Sequence, residues 1–346
     1  MHVLITGHLG YIGPAMIRAL QAASHTVAGL DSGLFDGCQL EAPAVIPSRV
    51  CDLRDVSIDD LRNFDAIVHL ANLSNDPLGT LDPALTHAIN VDATVRLARL
   101  AREAGVKRFL NSSSCSVYGA AVEDWVDETT PTRPVTAYGE SKVAAEKRLA
   151  ALADDAFCVV SLRNATAFGY SPNLRTDVVV NDLVASARLR GEVRLNSDGT
   201  AWRPLVHIRD ISQAFSLALT APADAINGEV FNVGSTDQNY RIIEVAQTVA
   251  ALMPDAELIV PPGAGTDRRS YRVRFDRVKR LLPAFSCAYD LKAGVMELIR
   301  EFERVSLMST DSSVRLTHLR RLLDAGQLDA ALRRRSSPTG WRIERT

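Results

Sequence analysis

Tyr138 and Lys142 stand four positions apart in the stretch "YGESK". On a helix such a pair lies on one face, one side chain above the other. A lysine ammonium beside a phenol stabilises the phenolate and lowers the phenol's pKa. The tyrosine can then take a proton from an alcohol near neutral pH, which an ordinary phenol of pKa about 10 does poorly. Such pairs are common by chance, and this one gains weight from its company. "TGHLGYIG" spaces Gly7, Gly10 and Gly13 evenly between a short apolar run and a helical pattern, with Tyr11 and Ile12 inside the turn. Glycines there let the backbone pass close to a pyrophosphate, and the helix that follows offers it free N–H groups. Asp31 ends the next apolar run, where an acid bonds an adenosine ribose. A carboxylate there repels a 2′-phosphate, so the expected cofactor is NAD rather than NADP. "CDLRD" adds Asp52 and Leu53, with Asp52 either meeting an adenine amino group or capping a helix. "HLAN" supplies Leu70, Ala71 and Asn72, small enough on balance for a cofactor to pass the backbone.

These residues need a scaffold that brings loops to one edge. "HVLI", "TVAGLD", "DAIVHLA", "KRFLNSSS" and "FCVVSLR" read as strands. Helical patterns, notably 84–105 and 136–153, alternate with them. Strands alternating with helices of this length predict βαβ units, right-handed crossovers and a parallel sheet. The expected fold is therefore α/β, a Rossmann-type doubly wound sheet over residues 1–165. A smaller mixed α/β substrate domain is expected over 166–310, interleaved with the sheet. Residues 311–346 read as a helical tail of two short amphipathic helices whose arginines form a solvated face.

The whole chain restricts the function further. It has 346 residues, a formal net charge of −2 and 47% apolar residues, which gives no pull toward nucleic acid or an anionic membrane. No apolar run approaches the roughly 20 residues a bilayer span needs. Cys38, Cys51, Cys115, Cys158 and Cys287 are dispersed, which disfavours a disulfide framework and a zinc site. No metal is expected. The opening "MHVLITGHLG" reads as a strand rather than a leader, and the expected location is the cytoplasm. His69 and His207 fall in strand-like runs and read as satisfied core histidines.

In order and spacing, "TGHLGYIG", Asp31, "HLAN", "SSSCSVYG" and "YGESK" resemble the extended short-chain dehydrogenase/reductase superfamily. More narrowly, residues 1 to about 300 resemble its nucleotide-sugar epimerase/dehydratase branch. The resemblance implies a permanently held NAD, a UDP- or dTDP-linked sugar in a C-terminal cleft, and a homodimer joined through helices 84–105 and 136–153. It implies that Tyr138 removes the proton of a sugar C4 hydroxyl and Lys142 holds the tyrosine and the nicotinamide ribose. Ser114, four residues before Tyr118, orients the reacting oxygen. Cys115 and Ser116 stand where dehydratases of the branch carry an Asp-Glu pair. Some 3,5-epimerases place a cysteine one position later, at Ser116. A small buried thiol is the favoured reading of Cys115.

The branch further implies substrate contacts from Ser114, Cys115, Ser116 and Asn164. It implies phosphate or base contacts from Asn181, Arg203 and Arg268, with Arg269 as the alternative register. Thr166 replaces the usual asparagine, and "LSNDPLG" (73–79) is a candidate sugar-pocket lining. The expected activity is an NAD-dependent nucleotide-sugar epimerase working through a keto intermediate formed at C4. The alternatives are a 4,6-dehydratase or 4-ketoreductase and, from another class, a non-catalytic NAD-binding scaffold.

Overall fold

The structure, a computed structural model, describes residues 1–74, 82–263, 265, 267, 269–311, 313–335 and 341–342. The apolar runs of the first half pair as parallel strands. They are β1 (His2–Thr6), β2 (Thr26–Asp31), β3 (Ser48–Val50), β4 (Ala66–His69), β5 (Arg108–Ser114) and β6 (Cys158–Asn164). β7 (Val230–Val233) and β8 (Trp341–Arg342) come from the second half. The order across the sheet is β7-β6-β5-β4-β1-β2-β3-β8, with only the β3–β8 edge pair antiparallel. Helices on both faces explain why Val3, Leu4, Ile5, Ile67 and Val68 are all fully buried rather than alternating.

The chain starts in the middle of this sheet. β2 and β3 lead to one side, β4 to β7 to the other. That reversal opens a crevice beyond the C-terminal ends of β1 and β4, where ligands of such sheets bind. The N-terminus of α1 (Gly13–Ala22) and α3 (Ala137–Ala150) border it, and α2 (Thr94–Glu103) lies between them in the chain. The stretch 84–105 is not one continuous α-helix. Pro83–His87 runs into a π-helical segment, Ala88–Ala93, before α2 begins. Such segments are rare and often mark functional sites, and this one carries the buried Asn90.

Beyond β6 the elements are shorter. Thr166–Phe168 pairs with Trp202–His207, and Glu192–Arg194 with Glu257–Ile259. α4 (Val179–Arg190) packs with helices Ile242–Leu252 and Leu291–Arg304 around Leu183, Val184, Val249, Val295 and Leu298. β7 then returns to the large sheet beside β6.

The tail departs from expectation. Among its described residues it forms one helix, α5 (Arg315–Asp324), not two. After Gly326 (φ 64°) the chain turns back through a bridge between Leu328 and Arg334, and β8 follows. Its basic face is exposed at Arg320, Arg321 and Arg335, but Arg315 is only 2% exposed. The leucines at 319, 322, 328 and 332 pack on Leu34 and Leu73, and that apolar contact draws the arginine inward. No helix among the described residues is long and apolar enough to cross a membrane.

Candidate active site

The crevice is a cleft of about 910 Å³ lined by both halves of the chain. At its floor is the glycine turn after β1. Gly7 has φ 76°, and a Cβ there would lie 2.7 Å from the Ala71 nitrogen. At Gly13 a Cβ would meet the His8 carbonyl oxygen at 1.9 Å. Sterics therefore demand glycine at both positions. No side chain caps the N-terminus of α1, and no acid occupies its first turn. Its free N–H groups and partial positive charge suit a phosphate. Gly7, Gly10, Tyr11 and Ile12 line the cleft, whereas Gly13 packs behind them.

Asp31 braces the same turn. Its carboxylate accepts from Leu9 N at 3.0 Å and Gly33 N at 2.9 Å. Asp52, Leu53, Leu70, Ala71 and Asn72 extend the lining along the crevice. Asp52 is more than a lining group: it caps the Leu53–Asp55 turn and pairs with Arg54 at 2.6 Å.

On the other side of the switch point, β5 delivers Ser112, Ser113 and Ser114 to the lining, and α3 delivers Tyr138 and Lys142. Thr136 starts α3 by accepting from Gly139 N at 3.1 Å. Lys142 is buried and its Nζ donates to the Ser112 carbonyl at 2.6 Å. Burial pushes its ammonium down to about 7, while Glu146 one turn on pulls it back up. The Lys142 nitrogen lies 5.5 Å from the centroid of the Tyr138 ring. Asn90 fixes this helix to the opposite wall. Its side chain bonds Leu73 N at 2.8 Å, Leu73 O at 3.1 Å and Ser141 Oγ at 3.1 Å.

Ser114 Oγ accepts from Ser116 N at 3.1 Å, and both residues line the cleft. Cys115 does not. The short helical turn after β5 rotates its side chain into the core, where Sγ donates to the Arg163 carbonyl at 3.3 Å. It is 1% exposed, and burial raises its thiol well above the ordinary range. The expectation that Cys115 touches substrate is corrected, and the buried-thiol reading describes what is found.

Asn181 also departs from expectation. It is fully buried on a face of α4 turned from the cleft, while Val178, Val179, Asp182 and Leu183 line it. Its amide is spent on Gly169 N at 3.0 Å, Tyr11 Oη at 2.9 Å and Arg175 O at 2.9 Å. It ties the glycine turn to the second half of the chain. Arg203 does line the cleft, stacked 5.6 Å from the centroid of Tyr271 and paired with Asp267 at 2.7 Å. Arg269 shares Asp267 at 2.8 Å. Arg268 lies outside the described residues, as do positions 75–79 of the 73–79 stretch, of which Leu73 and Ser74 line the cleft. Asn164 and Thr166 lie beside Ser114 in the same lining.

Sequence reasoning missed two buried cleft arginines. Arg175 is buried, pairs with Asp177 at 2.7 Å and reaches Ser74 Oγ at 3.3 Å. Its neighbour two residues on, Asp177, was the readable signal. Arg315, from the tail, was masked by its basic neighbours. His69 is a satisfied core residue between Thr6 Oγ1 at 2.7 Å and Thr94 Oγ1 at 2.8 Å. His207 is likewise buried, against Glu297 at 2.6 Å. Among the described residues no cluster of His, Cys, Asp or Glu could hold a metal.

Four cleft residues carry a buried polar atom without a protein partner: Asn72 Nδ2, Ser116 Oγ, Asn164 Oδ1 and Arg315 Nη1. Native interiors rarely leave such atoms unpaired. Together with the glycine turn and Asp31, they fit a long polar ligand such as a dinucleotide.

Known proteins resemble this chain in sequence and in fold. A UDP-glucose 4-epimerase from Mycolicibacterium smegmatis is 31% identical over 318 residues, covering 88% of this chain and 100% of the relative. The solved NAD dependent NDP-hexosamine 5,6-dehydratase TunA has a TM-score of 0.78 at 25% identity, covering 88% of this chain and 98% of its own. MoeE5 in complex with UDP-glucose and NAD has a TM-score of 0.76 at 28% identity, covering 89% and 100%. The model of the NAD dependent epimerase/dehydratase family matches residues 3–234, and the chain belongs to that family.

Proposed function

We propose that the chain is a nucleotide-sugar epimerase that acts through transient oxidation of a sugar hydroxyl, at C4. One observation carries this reading. Ser114, Tyr138 and Lys142 line a single cleft, while the residue after Ser114 turns away from it. NAD, when bound along the glycine turn, Asp31 and Asn72, supplies a hydride acceptor that later returns the hydride.

Tyr138 takes the proton of the sugar hydroxyl and gives it back after the ring has turned over. Lys142 places its positive charge beside that phenol and favours the phenolate. Ser114 bonds the reacting oxygen. Residues 166–310 supply the substrate side, where Arg203 and Arg269 offer guanidinium groups to a diphosphate. The UDP-glucose named for the relatives supports a UDP- or dTDP-linked sugar.

Removal of water would need a base and an acid beside Ser114. Cys115 is buried with a raised pKa, and Ser116 is a hydroxyl, so neither position after Ser114 provides one. This favours epimerisation over dehydration.

The test is to incubate the purified protein, without added cofactor, with UDP-, dTDP-, GDP- and CDP-hexoses. The expected product is an isomer of unchanged mass, separated by chromatography and checked by mass spectrometry. Loss of water would assign a dehydratase, and net accumulation of NADH would rule out the epimerase. If no sugar is transformed, the scaffold reading replaces it.

A further inference from the structure

The tail has no part in the chemistry above, yet it borders the same cleft. Arg315 opens α5 and is 2% exposed. Its guanidinium carbon lies 4.2 Å from the centroid of the Phe35 ring. Nη2 donates to the Asn173 carbonyl at 3.2 Å. Asn173 in turn donates to Leu9 O at 2.9 Å and Gly10 O at 3.3 Å, within the phosphate turn. Nη1 is buried without a partner, and the residue lines the cleft alongside Gly10, Tyr11 and Asp31. Burial and then the nearby charge of Arg175 push this guanidinium down to about 10. Asp177, which pairs with Arg175, and Asp31 pull it partly back up, and neither bonds Nη1.

The rest of the tail runs on to the adenosine end. His318 Nε2 bonds the Leu34 carbonyl at 3.1 Å, and Arg334 donates to the Gly33 carbonyl. Arg54 Nη2 donates to Ala331 O at 2.9 Å, and Arg333 pairs with Asp55. Leu332 enters the lining with Asp52, Leu53 and Arg54. The tail therefore follows the cleft from the phosphate turn to the end marked by Asp52.

We propose that residues 313–335 are a cofactor strap in which Arg315 Nη1 bonds the pyrophosphate of NAD and Leu332 covers the adenine end. The proposal rests on the reading of the cleft as a dinucleotide site, not on the epimerase reaction. It is tested by the NAD content of purified protein, measured after acid extraction. Titrations with NAD, NADP, ADP and adenosine follow, after removal of the cofactor.

Arg315→Gln is expected to purify with less NAD and to bind NAD and ADP roughly tenfold or more weakly, with adenosine affinity unchanged. Arg315→Lys, which keeps the charge, should fall between. Leu332→Asp should weaken ADP and adenosine alike. Unchanged NAD content and Kd in Arg315→Gln would overturn the strap. Equal losses for ADP and adenosine in that variant would also overturn it, leaving Arg315 a packing residue. A wild-type preference for NADP, abolished by Arg315→Gln, would move the contact to a 2′-phosphate and overturn the pyrophosphate assignment. If wild type binds no dinucleotide, the cleft reading itself fails, independently of Arg315.

Discussion

Lys142 Nζ donates to the Ser112 carbonyl at 2.6 Å, and this bond points the ammonium along the edge of β5 toward the Tyr138 ring. The strand thereby sets the position of a charge carried by the helix. If that charge supports a phenolate base, Tyr138→Phe and Lys142→Met should each cut kcat by roughly 10²–10⁴-fold. Nucleotide-sugar affinity should change little. Steady-state kinetics and direct binding separate the two effects. Retention of kcat within a few-fold in Tyr138→Phe would remove the tyrosine from the chemistry.

The buried lysine also makes a pH prediction. Its folded pKa is pushed down to about 7 by burial, against about 10.4 in an unfolded chain. Between those values the unfolded state binds more protons, so stability should rise with pH across this window. The slope is at most about 1.4 kcal/mol per pH unit for one group. Urea unfolding of cofactor-free protein from pH 7 to 10 should show this rise in the wild type. Relative to it, Lys142→Met should lose the lysine's share, and parallel curves would contradict the shift.

Cys115 should matter to packing and not to turnover. Its thiol faces the Arg163 carbonyl and the core, 1% exposed. Cys115→Ala should keep kcat within about threefold and cost about 1 kcal/mol of stability, the ordinary scale for a small core change. Kinetics together with urea denaturation check both halves. A large loss of kcat at unchanged stability would return the thiol to the reaction.

The glycine turn, Asp31 and the Tyr138–Lys142 pair were legible because their chemistry depends on local spacing. Glycines must fall where a Cβ would collide, and helical partners must fall four apart. Side-chain direction was less legible. Cys115 and Asn181 lie next to lining residues in sequence, but one turn of backbone rotates each away. The π-helical segment at Asn90 has no propensity signature, since its reason is the clamp across to Leu73 and Ser141. The tail failed for a third reason. Arg315 read as solvated like Arg320 and Arg321, which are exposed, because composition carries no information about what covers a residue, and the leucine contacts with Leu34 and Leu73 draw it inward.

Arg203 is half of a preformed pair of cations around Asp267. If it receives the substrate diphosphate, Arg203→Ala should raise KM by roughly 10- to 100-fold while leaving kcat within a few-fold. Affinity for the free nucleoside diphosphate should fall by a similar factor, read by calorimetry. A fall in kcat without loss of that affinity would place Arg203 elsewhere in the mechanism.

Glu146 sits one turn beyond Lys142 and beneath the serine loop. It takes Arg163 Nη2 at 2.8 Å, Arg163 Nε at 3.0 Å and the Ser113 hydroxyl, all buried. Arg163 Nη1 continues to Tyr118 Oη at 3.1 Å, which donates to Asn232 at 2.9 Å. Glu146→Ala strands the Arg163 charge in the core and should cost roughly 3–5 kcal/mol. Glu146→Gln keeps an acceptor for Arg163 and should cost less. It also removes the negative charge that supports the Lys142 ammonium, so the lysine should lose its proton at lower pH than in the wild type. The pH–kcat profile of Glu146→Gln, recorded beside its urea midpoint, separates these effects. A profile superimposable on the wild type at reduced stability would confine Glu146 to holding the loop.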